Sequence, residues 1–579
     1  TRNGATAQTN DEPAQTGIYK QPAKQAQVYM CEVRPFVWSV REESNTKGGL
    51  FRSKLDAFRF VHSEFPEGAK VIRTGNTAIA STTCKSTFRS CRSRDAVANR
   101  QCHLIQRDLS PRRPAMNKDQ NTSPAPHADI FALKESSVQS YARAFPLLCS
   151  QAKGAVIWDK DGRKYLDFLA GAGSLNYGHN NPVLKQALLD YISSDGITHS
   201  LDLHTCAKEK FLQSLNDAVL EPRGLDYTVQ FTGPTGSNAV EAAIKIARKV
   251  TGRTTVISFT NGFHGVSMGS LALTGNSHFR AAAGLPLQGA VSMPYDKDLG
   301  PDTDTLDYME AMLGDPASGV DHPAAVIVET VQGEGGINTA SFDWLRRLET
   351  ICRRNKILLI VDDIQAGCGR TGSFFSFTEA GIEPDIVTLS KSISGFGLPM
   401  ALVLLKPEHD QWKPAEHNGT FRGNNHAFVT AAAALDHYWG SSDFADSIAE
   451  KAGVLDARLQ KIMKLYPREV VELRGRGMMR GICCKHPKKA AAITAQAFKT
   501  GAIFERAGSH DEVIKFLMPL TIEIDELNEG LDILENAFGK VINPKPCENK
   551  RGKIAIKKAV KVATGNARTH KTKQTKLHE

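Results

Sequence analysis

The chain has 579 residues, of which 41% are hydrophobic, with 47 glycines and 26 prolines. This balance allows a large buried core and one to three domains, and it excludes collagen-like, coiled-coil and wholly disordered chains. The net charge of +10 is concentrated at the ends, since residues 1–115 and residues 544–579 each carry +9 and the residues between them carry −8.

The acidic body of the chain gives no reason to expect a nucleic-acid partner, because the basic isoelectric point depends only on the two ends. No run of 18 apolar residues is present, so we expect no membrane-spanning helix. The eleven cysteines are scattered without metal-ligand spacing. This pattern predicts a reduced, cytoplasmic protein with no metal site.

Residues 1–115 differ from the rest of the chain in composition and in the pattern of their apolar residues. They mix Ser, Thr, Arg and Cys without apolar periodicity, and the pattern changes at Met116, where we expect the natural protein to begin. We interpret 1–115 as an atypical basic extension that is disordered or not native. A transit peptide is the alternative, but ten acidic residues do not fit it. Residues 544–579 are typical of a disordered basic tail.

From residue 131 onward, strand-like apolar runs alternate with helical patterns. Residues 116–175 predict an N-terminal arm and a hairpin of a small domain. Residues 176–441 predict a large α/β domain, because continuous apolar runs are typical of parallel strands buried on both faces. Residues 442–543 predict a smaller α+β domain. The predicted hairpin strands are 155–158 and 164–168, the later strands are 228–231, 255–259, 324–329, 357–362 and 385–389, and two of the helices are 239–249 and 342–355.

Two of the predicted strands lead into charged residues. One ends in Asp362, and another is followed closely by Lys391. Ligands of open α/β sheets bind at the carboxyl ends of strands, so the carboxylate and the amine could share one crevice. Taken singly, Asp362 could instead cap a helix, and Lys391 could be a solvated loop residue.

Two glycine-containing turns follow other strands. The turn at 231–238 leads into a helix whose free N–H groups could hold a phosphate, although Asn238 with Glu241 would also form a capping box that needs no ligand. The turn at 261–265 places Phe263 and His264 between glycines. Phe263 could stack on a flat ring there, or simply pack in the core.

Together these motifs resemble the signature of the class III pyridoxal-phosphate aminotransferases. The resemblance implies fold type I of the pyridoxal-phosphate-dependent transferases, with a large three-layer α/β domain, a mostly parallel sheet and a smaller α+β domain. It extends over about residues 131–538. The segments that carry it are 362–372 (DDIQAGCGRTG) and 384–391 (PDIVTLSK), with support from 235–237, 263–265, 329–336, 419–421 and 474–479.

The resemblance also implies a role for each cofactor-binding residue. Lys391 would bond covalently to the aldehyde of pyridoxal 5'-phosphate and later move the substrate's proton, and Asp362 would pair with the pyridine nitrogen. Gly236 and Ser237 would hold the phosphate, and Thr420 would reach the phosphate of a neighbouring subunit. The active unit would therefore be a homodimer or a higher oligomer. The other expected neighbours of the ring are Phe263, His264, Ile364 and Gln365.

On the substrate side, members of the family pair a glutamate with an arginine, and the pair opens when a dicarboxylate arrives. Glu334 matches that glutamate, but the arginine position holds Lys515, which lacks the bidentate fork. The alternative is that Lys515 is a surface lysine on an edge strand. The other substrate-binding candidates are Tyr141, Arg143 and Glu329.

Residues 131–146 and 503–522 resemble one subgroup of the family, whose small-molecule substrates are an amino acid and a keto acid. The implied reaction moves an amino group from L-glutamate to L-aspartate 4-semialdehyde, giving L-2,4-diaminobutyrate and 2-oxoglutarate at the start of ectoine synthesis. The alternative is another ω-amino-acid transaminase, acting on ornithine, 4-aminobutyrate or diaminobutyrate of a siderophore pathway. The alternative that is not an enzyme is a binding protein, either a cofactor-free relative or a nucleic-acid binder acting through the basic ends. The absorbance of the bound cofactor would distinguish the enzyme from both.

Overall fold

The computed structural model describes residues 26–34, 37–42, 48–51, 69–73 and 128–543, and the chain divides into two units, Thr1–Lys134 and Glu135–Glu579. The first unit contains one four-stranded sheet in the order β3-β2-β1-β4, with β1 and β4 parallel. Its elements are β1 Ala26–Arg34, β2 Val37–Glu42, β3 Gly48–Phe51, β4 Ala69–Arg73 and helix α1 Ala128–Lys134.

These four strands lie within the basic extension, for which we expected no regular structure. The β1 sequence AQVYMCEVR contains the β-branched and aromatic residues that strands favour, which accounts for the difference. The predicted basic tail, 544–579, lies outside the described residues. That residues 1–115 are not part of the native protein stays a prediction.

A seven-stranded sheet forms the centre of the second unit, in the order β10-β9-β11-β14-β15-β16-β8. Strand β16 pairs antiparallel with both of its neighbours, and the other pairs are parallel. The mostly parallel sheet confirms the predicted fold class. Its strands are β8 Thr228–Phe231, β9 Val256–Phe259, β10 Ala290–Met293, β11 Ala325–Val328, β14 Leu358–Asp362, β15 Ile386–Leu389 and β16 Leu402–Leu405.

The predicted strands agree with these bounds to within a residue or two at each end. Every residue of β9, β11, β14, β15 and β16 is buried, as expected where helices cover both faces of a sheet. The short strands β12 Val331–Gln332 and β13 Asn338–Thr339 form a separate antiparallel pair.

Helices of the second unit carry apolar faces toward this core. Helix α6 illustrates the pattern, since it buries Ala239, Val240, Ala243 and Ile244 while its opposite face stays polar. The helices are α2 Tyr141–Ala144, α3 Ala170–Gly173, α4 Pro182–Ser193, α5 Cys206–Leu215, α6 Gly236–Thr251, α7 Met268–Leu273, α8 Ser277–Ala281, α9 Thr305–Gly314, α10 Phe342–Arg354, α11 Asn425–Tyr438, α12 Asp443–Leu465, α13 Pro487–Lys499 and α14 Ile524–Ile542.

Two smaller sheets accompany the large one. An antiparallel sheet has the order β17-β18-β21-β20, and a second sheet has the order β19-β7-β6-β5. The second sheet contains the predicted hairpin, and β19 pairs parallel with β7, so the hairpin shares a sheet with a C-terminal strand. The strands are β5 Cys149–Lys153, β6 Val156–Asp159, β7 Lys164–Asp167, β17 Val470–Arg476, β18 Met479–Cys484, β19 Ala502–Ile503, β20 Glu505–Ala507 and β21 Val513–Phe516.

The described part of the chain has neither a membrane-spanning helix nor a metal cluster. None of its helices combines the length and the apolarity that crossing a bilayer requires. The same residues bring together no group of three or more His, Cys, Asp or Glu side chains with metal-site geometry.

Candidate active site

Asp362 and Lys391 come from two neighbouring parallel strands. Asp362 is the last residue of β14 and pairs in register with Thr388 of β15, three residues before Lys391. The Thr388 hydroxyl donates to Asp362 Oδ1 at 3.1 Å. The carboxylate and the amine thus lie at the same edge of the sheet, as the sequence predicted.

Asp362 is held by donors on several sides. His264 Nδ1 lies 2.7 Å from Asp362 Oδ2, and both side chains are buried. The Ile364 amide donates to Asp362 Oδ1 at 3.3 Å, and residues 363–377 form turns rather than a helix. The interpretation of Asp362 as a helix cap is therefore wrong. Burial on its own would lower the His264 pKa, but the hydrogen bond and the charge of Asp362 raise it overall.

Lys391 is half-buried and has a left-handed backbone, with φ +53°. Its position excludes the solvated-loop interpretation. Burial lowers the Lys391 pKa, and the positive charge of Lys515 acts in the same direction, while Glu334 opposes the shift. A larger fraction of the amine is therefore neutral near pH 7, which is the nucleophilic form.

The turn before α6 forms a tight cradle with two other loops. A Cβ at Gly265 would overlap the Ser237 hydroxyl, and a Cβ at Gly236 would come within 2.9 Å of Ile364 Cδ1. The backbone N–H groups of Gly236 and Ser237 donate to no acceptor among the described residues. Backbone donors at a helix start are suited to a phosphate.

The cap of this helix differs from the one predicted. Thr235 is the N-cap, and it exchanges hydrogen bonds with Asn238 as a capping box. Glu241 instead accepts from the Ser267 hydroxyl and from the amides of Gly269 and Ser270. The sequence pairing of Asn238 with Glu241 was therefore wrong by one helical turn.

Glu329 organises the loop that carries Phe263. Its carboxylate accepts from the amides of Phe263 at 3.0 Å and Gly333 at 3.3 Å, and burial raises the Glu329 pKa. The Phe263 ring meets Phe279 edge to face, with centroids 5.4 Å apart. Glu329 thus has two backbone partners, and its predicted contact with substrate stays a prediction.

Lys515 is completely buried, which makes the surface-lysine interpretation wrong. It lies on β21, between β18 and β20 rather than at the edge of the sheet. Its ammonium contacts Glu334 Oε1 at 2.7 Å and Glu505 Oε2 at 3.2 Å. Burial alone would lower the Lys515 pKa, but the two carboxylates raise it overall.

This ion cluster reaches Gln365 on one side and Tyr141 on the other. Gln365 donates to Glu334 Oε1 at 3.3 Å and to the Ala172 carbonyl at 3.0 Å. The Tyr141 hydroxyl donates to Glu505 Oε1 at 2.7 Å. Sequence reasoning missed Glu505, because only the pairing of β20 with β21 puts it opposite Lys515.

Two predicted site residues lie apart from this cluster. Arg143 is exposed and donates to the carbonyls of Ser137 and Gln139. Thr420 is also exposed, and its carbonyl accepts from His199 at 2.6 Å. Within the described residues, neither side chain makes a hydrogen bond or an ion pair with Asp362 or Lys391, so both roles stay predictions.

The residues present fit pyridoxal phosphate, the cofactor that the resemblance implies. They combine an amine of lowered pKa, a buried carboxylate and free amides beside a glycine turn. Gln365 Oε1 is also buried without a hydrogen-bond partner among the described residues. A buried polar atom without a partner needs one from elsewhere, and a bound polar ring would supply it.

Comparison with known proteins gives the same result over the same part of the chain. The model of a family described as aminotransferase class III matches residues 137–538. Two diaminobutyrate–2-oxoglutarate transaminases, from Vibrio cholerae serotype O1 and from Halomonas elongata, are 60% and 59% identical to the chain over 410 and 411 residues. The alignments cover 71% and 70% of this chain and 99% and 98% of those proteins.

Solved structures of related enzymes share the fold. The ornithine aminotransferase of Toxoplasma gondii has a TM-score of 0.63 at 25% identity, covering 72% of this chain and 95% of that one. An amine transaminase from an uncultivated Pseudomonas species, in its pyridoxal-phosphate-bound form, also has a TM-score of 0.63, at 26% identity, covering 70% and 98%.

Proposed function

The chain belongs to the class III aminotransferases, and on that premise we propose that it is a diaminobutyrate–2-oxoglutarate transaminase. It moves an amino group from L-glutamate to L-aspartate 4-semialdehyde. The observation that carries this proposal is the identity of 55–60% to enzymes of that name, over 94–99% of their lengths. The cofactor is pyridoxal phosphate, the cofactor of this family.

Each residue of the sheet edge has a task in that reaction. The bound cofactor supplies an aldehyde for the amino group and a ring that withdraws electrons from the substrate Cα. The amides of Gly236 and Ser237 would hold its phosphate, and Asp362 would hold a proton at the ring nitrogen. His264 and Thr388 fix Asp362 in place.

Lys391 does the proton transfer. Its lowered pKa would leave the Nζ lone pair free to take a proton from the donor carbon that loses the amino group and, in the second half-reaction, to deliver one to the acceptor carbon that receives it. The Glu334–Lys515 ion pair would supply an ammonium to a distal carboxylate such as that of glutamate.

The proposed active unit is a homodimer. Exposed apolar side chains, among them Ile197, Leu203 and Phe421, lie on two segments that His199 joins by its contacts with Thr420 and Asn424. Large exposed apolar side chains on adjoining segments are typical of an interface when they form one patch. Such an interface would bring Thr420 to the site of the second subunit.

We also propose a cytoplasmic location and a role at the start of ectoine synthesis. Four cysteines, Cys352, Cys368, Cys483 and Cys484, are buried thiols. Burial raises the pKa of each of them, so that they stay protonated and inert. A reducing compartment suits such a set.

The test is a panel of donors on the purified enzyme with 2-oxoglutarate as acceptor. We expect kcat/KM for L-2,4-diaminobutyrate to exceed the values for ornithine and 4-aminobutyrate at least tenfold. Lys391→Ala is the matched control, since it should remove turnover with every donor. A preference for ornithine or 4-aminobutyrate would replace the proposed substrate and keep the chemistry.

A further inference from the structure

Tyr141, Glu505, Lys515, Glu334 and Gln365 form one continuous polar chain. Tyr141 is 45% exposed, Glu505 and Lys515 are buried, and Gln365 lies three residues after Asp362. The charges of Glu334, Lys515 and Glu505 all act on Lys391. The hydrogen bonds and ion pairs of the chain therefore run from the exposed Tyr141 to Gln365, in the turn that follows Asp362.

Glu505 has unused acceptor capacity within this chain. Its Oε1 accepts from Tyr141, and its Oε2 lies 3.2 Å from the Lys515 ammonium without hydrogen-bond geometry. The carboxylate is only 7% exposed. With both carboxylates ionised, one lysine faces two negative charges, and the cluster has a net charge of −1. One further cation would neutralise it.

The substrates of the proposed reaction differ in what their far ends carry. When the 4-amine of diaminobutyrate reacts, the 2-ammonium and the carboxylate remain at the far end. Glutamate brings only a carboxylate there. An ammonium that enters a dry pocket needs an acceptor, because a buried charge without a partner costs several kcal/mol.

We propose that Glu505 binds the distal ammonium of the diamine and so selects 2,4-diaminobutyrate over 4-aminobutyrate. This inference rests on the proposed function. Tyr141 holds one oxygen of Glu505 by its hydrogen bond and leaves the other oxygen for the ligand. Lys515 keeps its second partner, Glu334, while Glu505 turns to the substrate.

The decisive comparison uses two donors that differ by one group. 4-Aminobutyrate is 2,4-diaminobutyrate without the 2-ammonium, so the ratio of their kcat/KM values isolates recognition of that group. In Glu505→Gln the ratio should fall at least tenfold, because the amide keeps the shape and the bond to Tyr141 but loses the charge. The glutamate half-reaction should change less than threefold.

Two further variants show whether a fall in the ratio comes from lost recognition of the ammonium or from a disturbed structure. Glu472→Gln makes the same change at an exposed carboxylate on β17 that pairs with Arg474, and it should leave the ratio unaltered. Glu505→Asp keeps the charge but withdraws it by one methylene, so its ratio should fall at least threefold. This variant also keeps the test open if Glu505→Gln does not bind cofactor.

The results separate this inference from the proposed function. A wild-type enzyme that does not use diaminobutyrate with 2-oxoglutarate overturns the proposed function. A wild-type enzyme that uses it, together with an unchanged ratio in the Glu505 variants, overturns the role of Glu505 alone. Equal losses with both donors and with glutamate would also overturn it, since they would mark Glu505 as structural.

Discussion

The buried ammonium of Lys515 offers the sharpest test of the site through stability. In Lys515→Met the side chain keeps nearly its volume but loses the charge that lies 2.7 Å from Glu334 and 3.2 Å from Glu505. The buried carboxylate of Glu505 and the half-buried carboxylate of Glu334 would then lack their cation. Removing one partner of a buried ion pair costs about 3–5 kcal/mol, and we expect a loss of that size in the free energy of unfolding.

A second variant shows whether the loss comes from the uncompensated carboxylates. Lys515→Met combined with Glu505→Gln removes one of them, so the double variant should recover about 2 kcal/mol relative to the single one. Equilibrium urea denaturation, followed by the fluorescence of the buried Trp344 and Trp439, measures both values. A cost below about 1 kcal/mol for Lys515→Met would refute the ion cluster, because an exposed pair is worth no more than that.

Three further predictions concern the chemistry and the domain organisation. Lys391→Ala should abolish turnover and the cofactor's covalent absorbance, and retained turnover would move the active site elsewhere. Asp362→Asn should keep the cofactor bound but lower kcat by a factor on the order of 10², from about 2.7 kcal/mol for one electrostatic partner, and a loss below tenfold in steady-state assays would make Asp362 a structural residue. Deleting residues 1–115 should leave activity and thermal stability unchanged, since the family match begins at residue 137; an inactive or insoluble product would show that the segment belongs to the enzyme.

The sequence was sufficient for the sheet and for the pair at its edge, because both depend on local features. Apolar runs such as β14 and β15 end where the charged residue begins, and parallel strands bring those ends together. The ion cluster could not be predicted in this way. Glu505 and Lys515 are ten residues apart in sequence, and only the antiparallel register of β20 with β21 makes them partners. Register depends on the packing of the whole sheet.

The alternative that Lys515 is a surface lysine was wrong, although a lysine in a strand normally marks an edge or a solvated face. Here every residue of β21 is buried, and the lysine is tolerated because two carboxylates neutralise it. The capping pair at α6 was wrong for a related reason. Thr235 and Asn238 form the capping box in place of Asn238 and Glu241. A capping motif in the sequence does not determine the first turn of a helix to within three residues.

Asp363 gives a prediction about pH. Its carboxyl is buried, accepts the Ser376 amide at 3.1 Å through Oδ2, and has no partner for Oδ1 among the described residues. Burial raises the Asp363 pKa to about 7, against about 3.9 in an unfolded chain. The folded protein therefore holds a proton that the unfolded chain releases, so this contribution to stability is complete below about pH 4 and is lost as pH rises to about 7.

Asp363→Asn removes this dependence, because the amide does not titrate. At about 1.36 kcal/mol per pH unit, the variant should gain about 2–3 kcal/mol on the wild type between about pH 5 and the folded-state pKa, with no further gain above it. Urea denaturation at pH 5 and pH 8 measures the gain as the difference between the two proteins. Asp302→Asn, at an exposed aspartate, is the matched control and should show no such trend. If the free energies of unfolding of the two proteins differ by the same amount at pH 5 and pH 8, Asp363 is already ionised in the folded protein at pH 5. That result would refute the raised pKa of Asp363.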